Sequence, residues 1–221
     1  MLELKNISKR YGTGQEVFTA LADVSFTIGK GEYVVVSGPS GAGKSTLLYT
    51  IAGMVTPDSG MVFYKGENIH EQGKGYLNKL RKMELGFMFQ QFHLMPYLNV
   101  AENIMLACSD RDQHKRIEYY LEKCSLKDLE KKYPSELSVG EKQRTAFIRA
   151  IIHDPLLLLA DEPTGNLDPV NSKMLMSLVK DYHLNGGTVI IVSHDPLLAD
   201  YAGRNVTLQS GTLISDKLKG N

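Results

Sequence analysis

Short, largely apolar runs recur along this chain. Tyr33–Ser37, Leu156–Ala160 and Thr188–Val192 are rich in Val, Ile and Leu and are too short for helices. Such runs predict strands buried on both faces of a parallel sheet. Gly86–Phe89 is a fourth of the same kind. Helical stretches separate them. Lys44–Met54, for instance, carries Leu47, Leu48, Ile51 and Ala52 on one face. The two ends are different. Leu2, Leu4 and Ile7, and later Val206, Leu208, Leu213 and Ile214, mark shorter segments, with a hairpin signal at Gln209–Thr212. They predict antiparallel strands on the flank of the main sheet. From Asn99 to Asp154 the periodicity is helical throughout, over Glu102–Cys108, Arg111–Cys124 and Val139–His153, with Pro134 interrupting the last two. The fold class expected is α/β, with an antiparallel β flank and an inserted helical subdomain. Residues 1–98 and 155–221 would form the core and flank, and 99–154 the helical part, within one domain.

Composition narrows the partners. The chain has 221 residues, 43% of them hydrophobic, enough for a substantial core. Lys and Arg number 25, as do Asp and Glu, so no broadly basic surface for nucleic acid is expected. Cys108 and Cys124 match no metal spacing and read as reduced packing residues of a cytosolic protein. No secretion signal opens the chain, and no apolar run approaches the roughly 18 residues of a membrane span. A membrane role would need a partner chain.

The chemistry begins at Gly38. Residues Gly38-Pro39-Ser40-Gly41-Ala42-Gly43-Lys44-Ser45-Thr46 complete the Walker A phosphate-binding pattern. Its glycines let backbone N–H groups approach phosphate oxygens, Lys44 supplies a charge for the terminal phosphates, and the Ser45 hydroxyl suits Mg²⁺. A chance match arises in about one chain in a hundred of this length. The strand before the loop and the helix after it lower that further. Nucleoside triphosphate binding follows.

Leu156–Glu162 is an apolar strand ending in two carboxylates, Asp161 and Glu162. Two adjacent acids alone usually mean a solvated strand end. After a buried strand, and downstream of Walker A, they form a Walker B pair: Asp161 for Mg²⁺, Glu162 as general base toward water. Ser138-x-x-Glu141 is a capping box opening a helix, and a capped helix start also offers N–H groups to an anion.

Taken in order, these motifs resemble the nucleotide-binding subunit of ATP-binding cassette (ABC) transporters, over essentially the whole chain. Tyr11 matches the aromatic that stacks on adenine, Gln90 the Q-loop glutamine, and Leu137–Glu141 the signature motif. Asn166–Asp168 matches the D-loop, and His194 in Val-Ser-His-Asp the switch histidine. Singly, Tyr11 or His194 would more often be structural; their joint occurrence reverses those odds. Phe87–Gln90 and Glu162–Asp168 are similar to the bacterial branch of lipoprotein-releasing, macrolide-exporting and cell-division (FtsE-like) ATPases.

The resemblance implies a P-loop NTPase core of RecA-like type that hydrolyses ATP to ADP and phosphate. It implies Ser45, Gln90 and Asp161 around Mg²⁺, and catalysis by Lys44, Gln90, Glu162 and His194. It also implies a homodimer in which Ser138, Gly140 and Asp168 reach ATP across the interface. The permease would be a separate integral membrane chain docking near Gln90–Leu98, at the cytoplasmic face of the membrane, with export or extraction as the direction. No regulatory domain is expected beyond the final hairpin. Two positions depart from the usual signature, Val139 for glycine and Glu141 for glutamine, and weaker nucleotide-driven dimerisation is expected from them. A soluble translation factor would carry two cassettes and a repair ATPase a long coiled coil, neither of which is visible. A P-loop kinase or GTPase would need a lid or Asn-Lys-x-Asp, also not seen.

Overall fold

The computed structural model describes residues 1–13, 16–108 and 114–219. Its strands are β1 (Leu2–Tyr11), β2 (Phe18–Ile28), β3 (Tyr33–Ser37), β4 (Ser59–Tyr64), β5 (Glu67–Asn68), β6 (Leu85–Met88), β7 (Leu157–Asp161), β8 (Thr188–Ser193), β9 (Arg204–Gln209) and β10 (Thr212–Leu218). Its helices are α1 (Lys44–Ile51), α2 (Lys74–Met83), α3 (Val100–Met105), α4 (His114–Lys123), α5 (Val139–Ile151) and α6 (Pro169–Leu184). The expected helix Arg111–Cys124 begins outside the described residues; its described part is α4.

The main sheet has the order β10-β9-β3-β8-β7-β6. Strands β9, β3, β8, β7 and β6 are parallel, and β10 alone is antiparallel, paired with β9. The apolar runs of β3, β7 and β8 are continuous because each face meets a separate core. Val35, Leu158, Ala160, Val189 and Ile191 pack with α5, α6 and the helical segment. Val34, Val36, Leu157, Leu159, Ile190 and Val192 pack with α1 and with β1 and β2. A period of two then places apolar residues at every position.

The expected antiparallel flank is present, as a second sheet and as β10 at the edge of the main one, and β9 alone departs from the expectation. β1 joins a second sheet, order β2-β1-β4-β5, antiparallel throughout. β9 lies inside the main sheet, parallel to β3, with Val36 opposite Val206. Apolar alternation records which face is buried; it does not record which strand is the partner or in which direction it runs. The hairpin at Gln209–Thr212 is present, with Ser210 and Gly211 both at positive φ (47° and 77°), the geometry of a tight two-residue turn. That turn ties the sheets together: Gly211 N donates to Ala42 O (3.0 Å), and Ala22 N donates to Gly211 O (2.9 Å).

Between Val100 and Ile151 the described residues hold helices and no strand. α3 starts two residues before the expected Glu102, because Asn99 caps it reciprocally with Glu102. Pro134 stands at the start of a 3₁₀ turn, Pro134–Glu136, that separates α4 from α5.

Candidate active site

Strand order explains why distant motifs meet. β3, β8 and β7 lie side by side, and Ser37 is opposite Ser193 while Asp161 is opposite Val192. The chain leaves their carboxyl ends as the Gly38–Gly43 loop, the Ser193–His194 corner and the Asp161–Glu162 pair. A crevice outside the carboxyl ends of parallel strands is the usual ligand site of such sheets.

The loop carries β3 into α1. Pro39, Ser40 and Gly41 form its exposed tip, Ala42 is buried, and Ala42 N donates to Pro39 O (3.1 Å). Gly43 caps α1 at φ 98°, and a Cβ there would collide with the Ala20 carbonyl oxygen. The first turn of α1, including Thr46, starts without a side-chain cap, so its N–H groups suit an anion. Lys44 is buried. Its Nζ donates to Gly38 O (2.9 Å) and Pro39 O (3.0 Å) and lies 3.6 Å from Glu162 Oε1.

Asp161 ends β7 almost wholly buried. Oδ1 accepts from Ser45 Oγ and Oδ2 from Tyr49 OH, both at 2.9 Å. Burial raises the Asp161 carboxyl above its ordinary pKa, and the two hydroxyl donors oppose that rise. Burial, with Asp161 beside it, pushes the Tyr49 phenol up to about 12, so it remains a donor. Hydroxyl and carboxylate oxygens side by side are the hard donors that Mg²⁺ prefers.

Glu162 turns the chain out of β7 in a left-handed conformation, φ 46°, with its N–H bonded to Val192 O (2.9 Å). A non-glycine residue held there costs about 1–3 kcal/mol, and such strain gathers at functional sites. Its carboxylate is held from three sides. Oε2 accepts from Ser193 Oγ (3.1 Å) and His194 N (3.3 Å) and lies 2.9 Å from His194 Nδ1.

Lys44, Ser45, Asp161, Glu162 and His194 therefore form one connected cluster. Other candidates lie apart from it. Gln90 is exposed, two residues beyond β6. Tyr11 ends β1, 42% exposed, with Lys9 Nζ 5.6 Å from its ring centre. Ser138 caps α5 reciprocally with Glu141: Ser138 N donates to Glu141 Oε2 (2.7 Å), and Glu141 N to Ser138 Oγ (3.4 Å). Gly140 packs against α6 so closely that a Cβ would strike Asn171 Oδ1. Asp168 caps α6, accepting from Val170 N (2.9 Å) and Asn171 N (3.0 Å), which holds its carboxyl below the usual range.

Sequence reading missed several residues. Tyr49 lies four positions after Ser45 in α1, on the same helical face, and that spacing was a usable signal. Asn171 joins the D-loop to the signature helix, donating to Asp168 Oδ2 (2.5 Å) and accepting from Arg144 Nη1 (2.7 Å). Arg149 of α5 holds the chain after Gln90 through the Phe92 and His93 carbonyls (2.6 and 2.7 Å). Beside it runs a groove of about 280 Å³, lined by Met54, Arg81, Phe87, Phe89, Leu106 and His153 among others.

The connected cluster, on a parallel sheet with an antiparallel flank and a helical insertion, defines a P-loop nucleotide-hydrolysing cassette. Comparison with known proteins agrees. Residues 21–165 match the ABC transporter family. The chain is 38% identical to a macrolide export ATP-binding/permease protein, MacB, of Chlorobaculum tepidum, over 99% of this chain but 34% of that protein. It is 40% identical to the ABC transporter ATP-binding protein YxdL of Bacillus subtilis, over 100% of this chain and 88% of that one. A dimeric post-hydrolysis structure of the ATP-binding cassette MJ0796 bound to ADP and Pi superposes with a TM-score of 0.93 at 34% identity, over the full length of both chains. The chain belongs to the ABC transporter family and is an ATP-binding cassette ATPase. Among the described residues, no helix is long and apolar enough to cross a membrane.

Proposed function

We propose that two copies of this chain close on ATP and drive an integral membrane permease, encoded separately, in export or extraction from the membrane. The observation that carries the catalytic half is the cluster of Lys44, Ser45, Asp161, Glu162 and His194. Lys44 and the Gly38–Thr46 amides would bind the phosphates. Glu162 would accept a proton from water, with His194 holding its carboxylate and contacting the terminal phosphate. Tyr11 would stack on adenine. Mg²⁺, at Ser45 and Asp161 with Gln90 beside them, would neutralise charge developing on the phosphates. Among the described residues no group of three His, Cys, Asp or Glu side chains gathers to hold a metal. The cation would then complete its shell with phosphate oxygens and water.

Dimerisation rests on residues outside the cluster. Ser138, Gly140 and Asp168 stand at the starts of α5 and α6, within two residues of the exposed apolar side chains Val139 and Val170. Exposed apolar groups beside a candidate anion site favour a protein partner there. The dimeric cassette it resembles supports a second copy as that partner. The groove at Phe87, Phe89 and Leu106 is our candidate for the permease, beside the Gln90–Leu98 segment and between the core and the 99–154 helical part. An assembly docked in this way would lie at the cytoplasmic face of a membrane.

The test is size-exclusion chromatography of Glu162→Gln with ATP and Mg²⁺. An ATP-dependent shift to dimer is expected. A monomer at all ATP concentrations, with nucleotide bound, would overturn the dimer reading.

A further inference from the structure

Tyr49 touches both the catalytic cluster and the groove. Its hydroxyl donates to Asp161 Oδ2 at 2.9 Å. Its ring centre lies 5.7 Å from that of Phe87 and 6.5 Å from that of Phe89, and those two rings lie 4.4 Å apart. Phe87 and Phe89 line the groove; Asp161 is the buried carboxylate beside Ser45. One side chain therefore spans from the surface to the acid.

We propose that Tyr49 is a positioning residue: its hydroxyl fixes the Asp161 carboxylate for Mg²⁺, and its ring passes the state of the Phe87–Phe89 groove to that carboxylate. The first part stands on the Tyr49–Asp161 contact. The second rests on the groove being the permease site.

The physical reasoning has two steps. Asp161 has both oxygens engaged, Oδ1 by Ser45 and Oδ2 by Tyr49. A carboxylate pinned at both ends presents a fixed lone-pair geometry, whereas one pinned at one end can swing about Cβ–Cγ. Magnesium tolerates little angular error among its ligands, so a swinging carboxylate binds it less well. The ring is the second step. Tyr49 is only partly buried, and it is held by tilted contacts with Phe87 and Phe89. An apolar segment seated in the groove presses on those rings, and any shift of them displaces the phenol that holds Asp161. Arg81 and Arg149 of the groove lining are charged, and among the described residues their guanidiniums bond to neutral oxygens: Gly53 O and Asn78 Oδ1, and Phe92 O and His93 O. A seated segment that also carries a carboxylate is complementary to such a lining.

The test uses the isolated chain and a fluorescent ATP analogue, with binding titrated against Mg²⁺ and, separately, in EDTA. Tyr49→Phe keeps the ring and removes the hydroxyl. Losing a hydrogen bond to a charged group is expected to raise the half-saturating Mg²⁺ about tenfold. Affinity for the analogue in EDTA should stay within about twofold, which a general loss of structure would not allow. An unchanged Mg²⁺ requirement would overturn the hydroxyl's role. Phe87→Leu, which loosens the ring contact, should raise the requirement several-fold in the parent and add nothing on top of Tyr49→Phe. Additive effects would overturn the relay. Neither arm contains a permease, so failure of the docking reading shows separately, as a permease that still copurifies with Leu106→Asp.

Discussion

Glu162 and His194 meet across the ends of β7 and β8, with Nδ1 2.9 Å from Oε2. The contact exists because the two strands are neighbours in register, Asp161 opposite Val192. It gives the histidine a task before any substrate arrives, since it helps hold a carboxylate on a strained turn. His194→Ala is expected to lower ATP turnover by about 10²-fold while ATP affinity changes little. Steady-state phosphate release beside equilibrium nucleotide binding checks this; parent-like turnover would remove His194 from the mechanism.

Glu162→Gln keeps the size of the side chain and removes the proposed base. Turnover should fall by at least about 10²-fold with ATP binding retained. Near-normal phosphate release would show that another group accepts the proton.

Lys44→Ala and Tyr11→Ala should both weaken binding, for different reasons. Lys44 would contribute charge-assisted contacts to phosphate, so about 10- to 100-fold in affinity is expected for ATP and less for adenosine. Tyr11 would contribute stacking, so about tenfold is expected for ATP and for adenosine alike. Isothermal titration with the two ligands separates them. A Tyr11→Ala protein that binds both as tightly as the parent would end the stacking assignment.

Gly140→Ala should destabilise the protein by about 1–3 kcal/mol, because the new methyl meets Asn171 Oδ1 in a packed contact. Asn171→Ala in the same chain removes that oxygen and should recover part of the loss. Urea unfolding measures both; a Gly140→Ala variant as stable as the parent would show that α6 yields without cost.

Leu106 is 56% exposed on the wall of the groove. Leu106→Asp should leave the thermal midpoint within a few degrees, as surface changes usually do. It should abolish copurification with the permease. Tyr97→Asp, on the more exposed segment after Gln90, should act in the same direction but more weakly. Full copurification of both would move the docking site elsewhere.

The amino-acid sequence alone determined the local features of this protein. Walker A was legible because a phosphate loop is built from consecutive residues whose types follow from backbone geometry. The strands β3, β7 and β8 were legible because burial on both faces leaves an uninterrupted apolar run. The Ser138–Glu141 cap was legible because both partners lie within one helical turn. Pairing was decided only in three dimensions. β9 runs parallel to β3 inside the main sheet, although its alternation reads like that of any flanking strand, since partner and direction are properties of two segments at once. Tyr49 on Asp161, Asn171 between Asp168 and Arg144, and Arg149 on the carbonyls of residues 92 and 93 join positions that are near in space through sheet order and helix packing. The Ser45–Tyr49 spacing marks a shared helical face, but no local pattern names the partner on another element, because the free energy that selects it comes from burying both strand faces and both helix faces together.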